Sequence, residues 1–527
     1  MPTIKFLLSK LEVSSYDRST YEKTNLDIKP LPPERRTYGP WNFVALWVVT
    51  GSFNIGGWTT GSSLIALGLN VWQCMLTVIV GNIIVGFLCV LSGHPGAKHH
   101  IGFPVIQRSS WGVRGYVFVV VQRVFLACIW FSTQVYWGGQ CMRTLLTAIA
   151  PRFRRLNRPL ANGTMTTGDF TGFILFTLCY LPLIAVRPER YHIPFLVSCL
   201  CIIPTVFVLL IYFVVKAQGA GDLVDDVSAV AGVAQATGSR LGWMLVLGIC
   251  TNISSISVHI YVQSDYTRYA RRPKDQILAQ LVMVPLGTIV VALIGILCAS
   301  CAVKLFPEKH GVLLWEPYRL LDALQVHHDN SSGSRAAVFF ASLAFMVAQF
   351  GMVVANNGLS AGMDLSALLP RFFTIRRGIK FLMVLGGYGV FLGPMTGVYF
   401  SDYFIVRRTS FEIQDLYNET ASSIYWYQKG CNWRALVAWV AGVWITLPGF
   451  IRWVQGGSTL VGWSHLYYFS WPLGMTISLM TYWILNKLSP VLGTIYAEPA
   501  EMNTSEVIEG QEPSEIARSD ISFPAKA

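Results

Sequence analysis

Long apolar runs separated by short polar connections constrain this chain more than any other feature of its sequence. A helix needs about 20 apolar residues to cross about 30 Å of hydrocarbon, and runs of that length recur about eleven times. Charged residues make up only 13% of the chain, whereas soluble domains carry about 25%. In lipid, only helices and closed barrels satisfy all of their backbone hydrogen bonds, and these runs do not alternate as barrel strands do. The sequence therefore predicts an all-α polytopic membrane protein.

The predicted spans divide the chain into three parts. A cytoplasmic N-terminal segment covers residues 1–40, a transmembrane domain covers residues 41–488, and a disordered acidic tail covers residues 489–527. The tail is polar and rich in glutamate, so it cannot bury enough apolar surface to fold alone. The predicted spans are Trp41–Leu69, Val71–Ser92, Tyr116–Ile149, Phe170–Val186, Ile193–Val215, Leu241–Val262, Leu278–Val303, Ala336–Leu369, Ile379–Phe404, Asn432–Ile451 and His465–Leu485.

The net charge of +12 reflects membrane topology. Basic residues cluster in short connections that fall on the cytoplasmic side when the N-terminus is placed inside, as the positive-inside rule predicts. This distribution argues against a nucleic-acid partner. One span conflicts with the rule, because Ile379–Phe404 is preceded by Arg376 and Arg377 and followed by Arg407 and Arg408. A single helix cannot have both ends in the cytoplasm, so either the rule is violated here or one helix is absent from the sequence.

The sequence contains no recognisable catalytic or metal-binding signature. The phosphate-binding pattern G-x-x-x-x-G-K-[ST] does not occur. His99 and His100 lie in a basic connection without acidic or cysteine partners, and Cys298 and Cys301 have C-x-x-C spacing inside an apolar run without a second pair. The other cysteines lie almost entirely in apolar runs, as buried free thiols do. We therefore expect no enzyme activity, no bound metal and no cofactor.

The first predicted span contains a stretch that is unusual for a membrane helix. Thr50–Ser63 has the sequence TGSFNIGGWTTGSS, which combines four glycines with hydroxyl side chains and an asparagine. Glycine weakens a helix, and Ser, Thr and Asn side chains can replace backbone hydrogen bonds, so this pattern favours a helix that breaks within the bilayer. Such a break exposes backbone groups to a substrate or ion, and Phe53 and Asn54 are then candidate substrate contacts. The alternative is tight helix packing through small residues.

A second polar stretch ends the sixth predicted span. Cys250–Arg268 places several hydroxyl side chains, Asn252 and His259 where lipid-facing positions would be apolar. Ser257 in this stretch is a further candidate substrate contact. Two interrupted helices five spans apart are typical of an inverted repeat of five helices. His259 can titrate near neutral pH, and a hydrogen-bonded structural histidine is the alternative.

The third predicted span carries a candidate ring-binding pair. Trp130 and Gln134 are four residues apart and share one helix face. An indole stacks on a planar ring and an amide offers a donor and an acceptor, so the pair suits a flat heterocycle with an amide edge. A tryptophan of the membrane-interface belt is the alternative. Asn356 and Asn357 in the eighth span are costly in lipid, so we expect them to face the substrate or another helix. Phe391 is a candidate lid or a packing residue.

Several motifs together resemble the nucleobase:cation symporter-1 family. They are LPPERRTYGPWN before the first span, SFNIGGW within it, IWFSTQVYWGG in the third, SDYTRYARRPKD after the sixth, SAGMDLSALLPRF after the eighth, FLGPM and YQKGCNWRALVAWV. The likeness covers residues 32–485 and is closest to the fungal branch of uracil, allantoin, uridine and thiamine permeases. It implies a five-plus-five inverted-repeat (LeuT-like) core with further C-terminal helices, which imports a substrate together with a cation.

The resemblance also implies roles for individual residues. Trp130 would stack on the substrate ring and Gln134 would hydrogen-bond to its polar edge. Asn357 would take the place of the substrate-binding asparagine of the eighth helix, and Phe391 falls in the gate region of the tenth. Ile256 stands where bacterial members carry an aromatic residue, so we expect no stacking from that side.

The cation site and the helix count depart from the bacterial pattern. The hydroxyl pair that binds sodium in bacterial members corresponds to Gly351 and Met352, which have no side-chain oxygen for a hard cation. We therefore expect proton coupling, which is usual in the fungal branch. Family members also place a ninth span before FLGPM, whereas only twelve residues separate Gly378 from Phe391 here. A mis-predicted splice junction is the favoured explanation, and a genuine non-transporting variant is the alternative.

These observations predict a secondary active transporter with many spans in the plasma membrane. Its expected substrate is a nucleobase or related small heterocycle of the uracil, allantoin or uridine class, imported with a proton across the lipid bilayer. Two alternatives stay open. The segment ANNGLSAGMDL favours a thiamine or nicotinamide riboside permease. The missing span and the acidic tail favour a transport-incompetent sensor or scaffold.

Overall fold

The structure is a computed structural model that describes residues 28–160, 165–185, 192–230, 232–309, 312–353, 364, 367, 392–418, 420–448, 463, 466 and 470–491. Three sequence-predicted site residues, Asn356, Asn357 and Phe391, lie outside the described residues, as do the junction of the predicted missing helix and most of the acidic tail. The described α-helices are α1 (Pro40–Trp47), α2 (Ile55–Ser62), α3 (Val71–His99), α4 (Phe103–Trp111), α5 (Tyr116–Ile149), α6 (Thr167–Tyr180), α7 (His192–Ala217), α8 (Gly238–Tyr261), α9 (Ser264–Thr267), α10 (Val284–Leu305), α11 (Pro317–His327), α12 (Ser332–Gly351), α13 (Leu392–Phe400), α14 (Ile413–Tyr417), α15 (Trp433–Trp444) and α16 (Ser470–Leu488).

Shorter elements connect or extend these helices. Turns of 3₁₀ helix lie at Pro33–Arg35, Ser63–Leu67, Pro151–Arg155, Leu181–Ala185 and Pro307–Lys309, and π turns lie at Val48–Ser52, Ala279–Met283 and Ser401–Val406. Strands β1 (Pro159–Leu160) and β2 (Met165–Thr166) form a small antiparallel pair in the connection between α5 and α6.

Five helices of the described part are long and apolar enough to cross a membrane. They are Val71–His99, Phe195–Ala217, Gly238–Tyr261, Ala279–Leu305 and Ser332–Gly351. The sequence predicts a span at each of these places, and α5 also begins and ends at its predicted residues. Large apolar side chains such as Leu200 and Val215 are more than half exposed on these helices, as lipid-facing residues are. The predicted all-α polytopic architecture is confirmed.

The predicted break in the first span is also confirmed. α1 continues into the π turn Val48–Ser52 and ends there, because Phe53 and Asn54 leave the helical region of backbone conformation. α2 then starts from Asn54, whose side chain caps its first turn. Only glycine fits at Gly57, since a Cβ there would stand 1.9 Å from the Ser52 carbonyl oxygen. The chain therefore turns sharply between α1 and α2.

The second polar stretch, Cys250–Arg268, is predicted to interrupt the end of the sixth span, and the helix does end within it. α8 runs unbroken to Tyr261, and the chain leaves the helix only at Val262 and Gln263, before the short α9. Thr251 and Ser255 donate their hydroxyls to carbonyls one turn earlier in the same helix, at 2.8 and 2.7 Å. These bonds leave the backbone ladder intact. The interruption lies at the end of this span.

α10 packs directly against the broken span, and small residues allow the close approach. A Cβ at Gly287 would stand 2.4 Å from Ser52 Oγ, and one at Gly295 would stand 2.3 Å from the carbonyl oxygen of Trp58. The first contact lies before the break and the second lies after it. α10 therefore supports both halves of the broken span.

The remaining helices pack around these elements. α3 packs against α8, α5 packs against α6 and α12, and α10 packs against α2, α3 and α7. Towards the C-terminus, α13, α15 and α16 pack on one another. The broken span, α5, α8 and α10 enclose a cavity at the level of the break.

Candidate substrate-binding site

The cavity beside the break has a volume of about 190 Å³. Its walls come from the broken span around Asn54, from α5 at Trp130 and Gln134, from α8, from α10, and from Met352 just after α12. Pockets for drug-sized ligands measure about 300–1,000 Å³. The smaller volume suits a small guest, such as a single heterocycle.

Asn54 bridges the break with both ends of its side chain. Its Oδ1 accepts a hydrogen bond from Gly57 N at 3.0 Å, and its Nδ2 donates to Val49 O at 2.8 Å. The two bonds tie the last turn before the break to the first turn after it. Asn54 is buried and lines the cavity. The side chain therefore holds the break in shape, and a direct contact with a substrate stays a prediction.

Replacing Asn54 with alanine is expected to destabilise the protein by about 1–3 kcal/mol, because it leaves buried backbone groups of Gly57 and Val49 without partners. Asn54→Asp keeps the acceptor for Gly57 but sets a buried carboxylate against the Val49 carbonyl oxygen, so we expect a loss at least as large. Thermal unfolding of the purified variants measures both effects. Equal melting temperatures for the wild type and Asn54→Ala would contradict the assigned role.

α5 presents one amide and two indoles to the cavity. Trp130, Gln134 and Trp137 are spaced i, i+4 and i+7, so they lie on one side of the helix, and all three line the cavity. Trp137 extends towards the break, since a Cβ at Gly56 would stand 3.6 Å from its ring. The indoles can stack on a flat ring while the amide meets a polar edge of that ring.

Gln349 of α12 contacts Gln134 from outside the cavity. Its Nε2 donates to the Gln134 side-chain oxygen at 2.7 Å and lies 3.1 Å from the Gln134 main-chain oxygen. Gln349 is fully buried. The Gln134 amide nitrogen has no hydrogen-bond partner among the residues that the structure describes. This N–H group is therefore available to a guest in the cavity.

Hydroxyl oxygens line other walls of the cavity. Thr59 and Thr60 of α2 and Thr251 and Ser255 of α8 are all lining residues. Each donates its O–H to a backbone carbonyl of its own helix, at 3.1, 2.7, 2.8 and 2.7 Å respectively. Because the donor is used, the oxygen lone pairs are what a guest can contact. The cavity thus combines an amide donor on α5 with hydroxyl acceptors on α2 and α8.

His259 lies in the same wall as the α8 hydroxyls. It lines the cavity, and its ring meets the edge of Trp47, with centroids 6.1 Å apart and planes at 61°. Thr288 of α10 completes this region, with its hydroxyl 3.0 Å from the Gly51 carbonyl oxygen. The histidine is therefore packed against the first half of the broken span, and a titrating role for it stays a prediction.

A buried charged cluster lies near the start of α5. Arg123 of α5 forms an ion pair with Asp364 at 3.6 Å, and Asp265 of α9 accepts a hydrogen bond from Phe103 N at 2.8 Å. Burial raises the pKa of Asp265 to about 7, although the Phe103 amide and the positive charges of Arg123 and Arg268 act to lower it. Burial therefore favours the neutral form of this carboxyl group more than it does in an exposed aspartate.

The structure brings three of the sequence-predicted substrate contacts to one cavity, namely Asn54, Trp130 and Gln134. Phe53 and Ser257 are buried but are not among the lining residues. The Phe53 ring packs towards α10, and the Ser257 hydroxyl donates to a carbonyl of its own helix at 2.7 Å. Their roles as substrate contacts stay predictions, as do those of the three residues outside the described part.

Trp137 and Gln349 are among the residues of this region that sequence reasoning missed. Trp137 had a visible signal, because it stands seven residues after Trp130 on the same helix face. Gln349 had none, because it is an isolated amide 215 residues from Gln134 in the chain. Only the packing of α12 against α5 brings the two glutamines together.

Known proteins are similar in sequence to this chain over most of its length. The family model described as permease for cytosine/purines, uracil, thiamine and allantoin matches residues 30–386 and 378–474. The uridine permease of Saccharomyces cerevisiae is 33% identical over 503 residues, which cover 90% of this chain and 76% of the relative. The uracil permease of the same yeast is 32% identical over 515 residues, which cover 92% and 78%.

A solved structure shares the fold. Mhp1, a nucleobase-cation-symport-1 family transporter in a closed conformation with bromovinylhydantoin bound, matches with a TM-score of 0.65. The match has 18% identity and covers 88% of this chain and 95% of that chain. At this identity the likeness shows the fold, and the predicted five-plus-five inverted-repeat architecture is confirmed. The missing ninth helix concerns residues outside the described part and stays a prediction.

Proposed function

The chain belongs to the permease family for cytosine and purines, uracil, thiamine and allantoin, the nucleobase:cation symporter-1 family, and we propose that it imports a nucleobase or a related small heterocycle together with a proton. It is a multi-pass membrane transporter. The proposed location is the plasma membrane, where import from the medium takes place. Uracil, allantoin and uridine are the substrates that we expect.

One observation carries this proposal: an indole, an amide donor and hydroxyl acceptors face one another across a small cavity at a broken helix. Trp130 offers a stacking surface and Gln134 offers an N–H group. A uracil-like ring has a flat face for the first and a carbonyl oxygen for the second. A guest without polar edges would leave the buried amide unpaired, which sites of this kind reject strongly.

The chemistry of the described residues supports a proton as the coupling ion. Met352, at the position of one sodium-binding hydroxyl in bacterial members, lines the cavity with a thioether. Hard cations prefer oxygen ligands. Asp265 offers a buried carboxyl group with a pKa of about 7, so it can bind and release a proton in the physiological range. We propose that Asp265 takes part in coupling.

Uptake is expected to depend on protons and not on sodium. Replacing external sodium with choline should leave the initial rate unchanged, whereas a protonophore should abolish accumulation. Lowering the pH from about 8 to about 6 should raise uptake, because a carboxyl group with a pKa of about 7 is mostly ionised at the first value and mostly protonated at the second. Initial rates of labelled-substrate uptake measure all three effects.

Asp265→Asn is the matched variant for this prediction. The asparagine keeps an oxygen that accepts from Phe103 N, but it cannot change its charge. At equal surface abundance, its uptake should no longer rise as the medium is acidified. A sodium requirement in the wild type, or an unchanged pH profile in the variant, would contradict the proposed coupling.

The substrate itself is tested by uptake of uracil, allantoin, uridine, thiamine and nicotinamide riboside in yeast cells that lack their own permeases. We expect one of the first three to accumulate above the vector control. Accumulation of thiamine or nicotinamide riboside alone would favour the alternative permease. No uptake of any compound by a surface-located protein would favour a sensor or scaffold, and transcript sequencing across Gly378 and Ile379 would then show whether a helix is missing.

A further inference from the structure

The pair of buried glutamines, Gln134 and Gln349, carries an inference about the class of substrate. We propose that Gln349 is a positioning residue: it fixes the orientation of the Gln134 amide, so that the cavity presents an N–H donor and selects a ring with a carbonyl group at that edge. The inference rests on the proposed function, because it concerns the substrate of the same site. The class it names is lactam and imide rings, in which a carbonyl group stands beside a ring N–H.

The contacts between Gln134 and Gln349 show where the oxygen and the NH₂ group of each side-chain amide lie. The Gln349 nitrogen lies 3.1 Å from the Gln134 main-chain oxygen, which can only accept a hydrogen bond. The group of Gln349 at this place must therefore be its NH₂. The same NH₂ lies 2.7 Å from the end of the Gln134 side chain, which must then be an oxygen. The Gln134 NH₂ is left at the other side, which is the side of the cavity.

Burial keeps this orientation in place. Gln349 is fully buried and Gln134 is 3% exposed, so neither amide can exchange its partner for bulk water. Turning the Gln134 amide over would set two NH₂ groups against each other and would remove the shorter of the two hydrogen bonds. Unmade buried hydrogen bonds are costly. The donor therefore faces the cavity before any substrate arrives.

Hydroxyl groups on the other walls of the cavity provide hydrogen-bond acceptors opposite the Gln134 donor. The hydroxyls of Thr59, Thr60, Thr251 and Ser255 already donate within their own helices and offer lone pairs. A ring that accepts from Gln134 and donates to one of these oxygens satisfies both sides. A ring that carries amino groups in place of carbonyl groups sets donor against donor at Gln134. The site therefore favours oxo-heterocycles over their amino analogues.

A purely structural role for Gln349 is the competing explanation. Side-chain amides hold membrane helices together, and Gln349 does connect α12 to α5. Its own Oε1, however, has no hydrogen-bond partner in the described part of the chain. An apolar side chain would pack here without that unpaired oxygen. A packing role alone does not set which ligand is preferred, so ligand preference separates the two explanations.

The test uses the purified full-length protein and two ligands, uracil and 2,4-diaminopyrimidine. Both have a pyrimidine ring, but the carbonyl and ring N–H groups of uracil are replaced by amino groups and ring nitrogen acceptors. We expect the wild type to bind uracil more tightly. Gln349→Met removes the fixed donor and keeps an unbranched side chain, so Gln134 can turn to suit either ligand. The ratio of the dissociation constant for 2,4-diaminopyrimidine to that for uracil should then fall about tenfold, which is the factor expected for one hydrogen bond. Gln349→Leu is the second variant.

Gln134→Ala provides the control background, since it removes the side chain through which Gln349 acts. In this background, Gln349→Met should leave the ratio of the two dissociation constants unchanged. A similar fall in both backgrounds would overturn the proposal, because Gln349 would then act by another route. An unchanged ratio in Gln349→Met with Gln134 intact would overturn it as well.

Two further outcomes are decisive. If both Gln349 variants fail to fold while Gln134→Ala folds, Gln349 serves helix packing and the positioning role is overturned. If the wild type binds neither uracil nor any other heterocycle of the uptake panel, the proposed function fails, and this inference fails with it. Binding of uracil by the wild type without any effect of Gln349 leaves the proposed function standing and removes only the inference.

Discussion

Replacing Gly57 with alanine is expected to abolish uptake. The new Cβ would stand 1.9 Å from the carbonyl oxygen of Ser52. That oxygen belongs to the backbone, so no side-chain rotation relieves the clash, and the turn between α1 and α2 must open. Overpacking in a closely packed interior costs about 1–3 kcal/mol and occasionally more, and here it falls on the element that shapes the cavity. Uptake and the melting temperature of the purified protein measure the two consequences.

Gly242→Ala is the matched control for this experiment. Gly242 also lies within a helix, α8, but a Cβ there would meet no atom within 4 Å. Alanine favours a helix over glycine by about 1 kcal/mol. The control should therefore keep its uptake and should keep or slightly raise its melting temperature. Wild-type uptake by Gly57→Ala would contradict the sharp break as the basis of the site.

Replacing Trp130 with alanine is expected to weaken substrate binding about fivefold to 150-fold. Stacking of a base on an aromatic side chain contributes about 1–3 kcal/mol by alanine substitution, and each 1.4 kcal/mol changes affinity about tenfold. Trp130 lies on the lining face of α5 together with Gln134 and Trp137. At substrate concentrations below the wild-type dissociation constant, the uptake rate should fall by the same factor.

Trp130→Phe separates stacking from a general disturbance of α5. Phenylalanine keeps an aromatic face, so it should retain part of the affinity that alanine loses. Both variants should reach the membrane in wild-type amounts, which surface labelling measures. Equal affinity in the wild type, Trp130→Phe and Trp130→Ala would show that the indole does not contact the substrate.

The proposed proton site and the proposed substrate site both involve residues of one helix, α5. Arg123 in the charged cluster and Trp130 in the cavity are both on α5, seven residues and about 10 Å apart. A change of charge at Asp265 acts on Arg123, which also pairs with Asp364. We therefore propose that α5 links the proposed proton site to the ring-binding face.

Local sequence patterns predicted much of the fold and part of the site. Apolar run length predicted the helices because the bilayer fixes the length of a span. The composition of Thr50–Ser63 predicted the break because glycine and asparagine act on their own backbone, within a few residues. The pair Trp130 and Gln134 was predictable because helical periodicity alone puts both on one face.

The remaining features depend on contacts between distant parts of the chain. The contact between Gln349 and Gln134 needs the packing of α12 on α5, for which one sequence holds no signal. The stretch Cys250–Arg268 predicted an interruption but not its place: the hydroxyls of α8 bond within the helix, which is continuous to Tyr261 and ends only there. The raised pKa of Asp265 is a consequence of burial, which the polar sequence around it does not reveal.

The most direct test of the account is a cryo-electron microscopy map of the purified protein saturated with uracil. The account predicts density for the ring against the Trp130 indole, with a carbonyl oxygen about 3 Å from Gln134 Nε2 and the broken span on the opposite side. Density for bound uracil at another place, with the cavity between Trp130 and Asn54 empty, would contradict it.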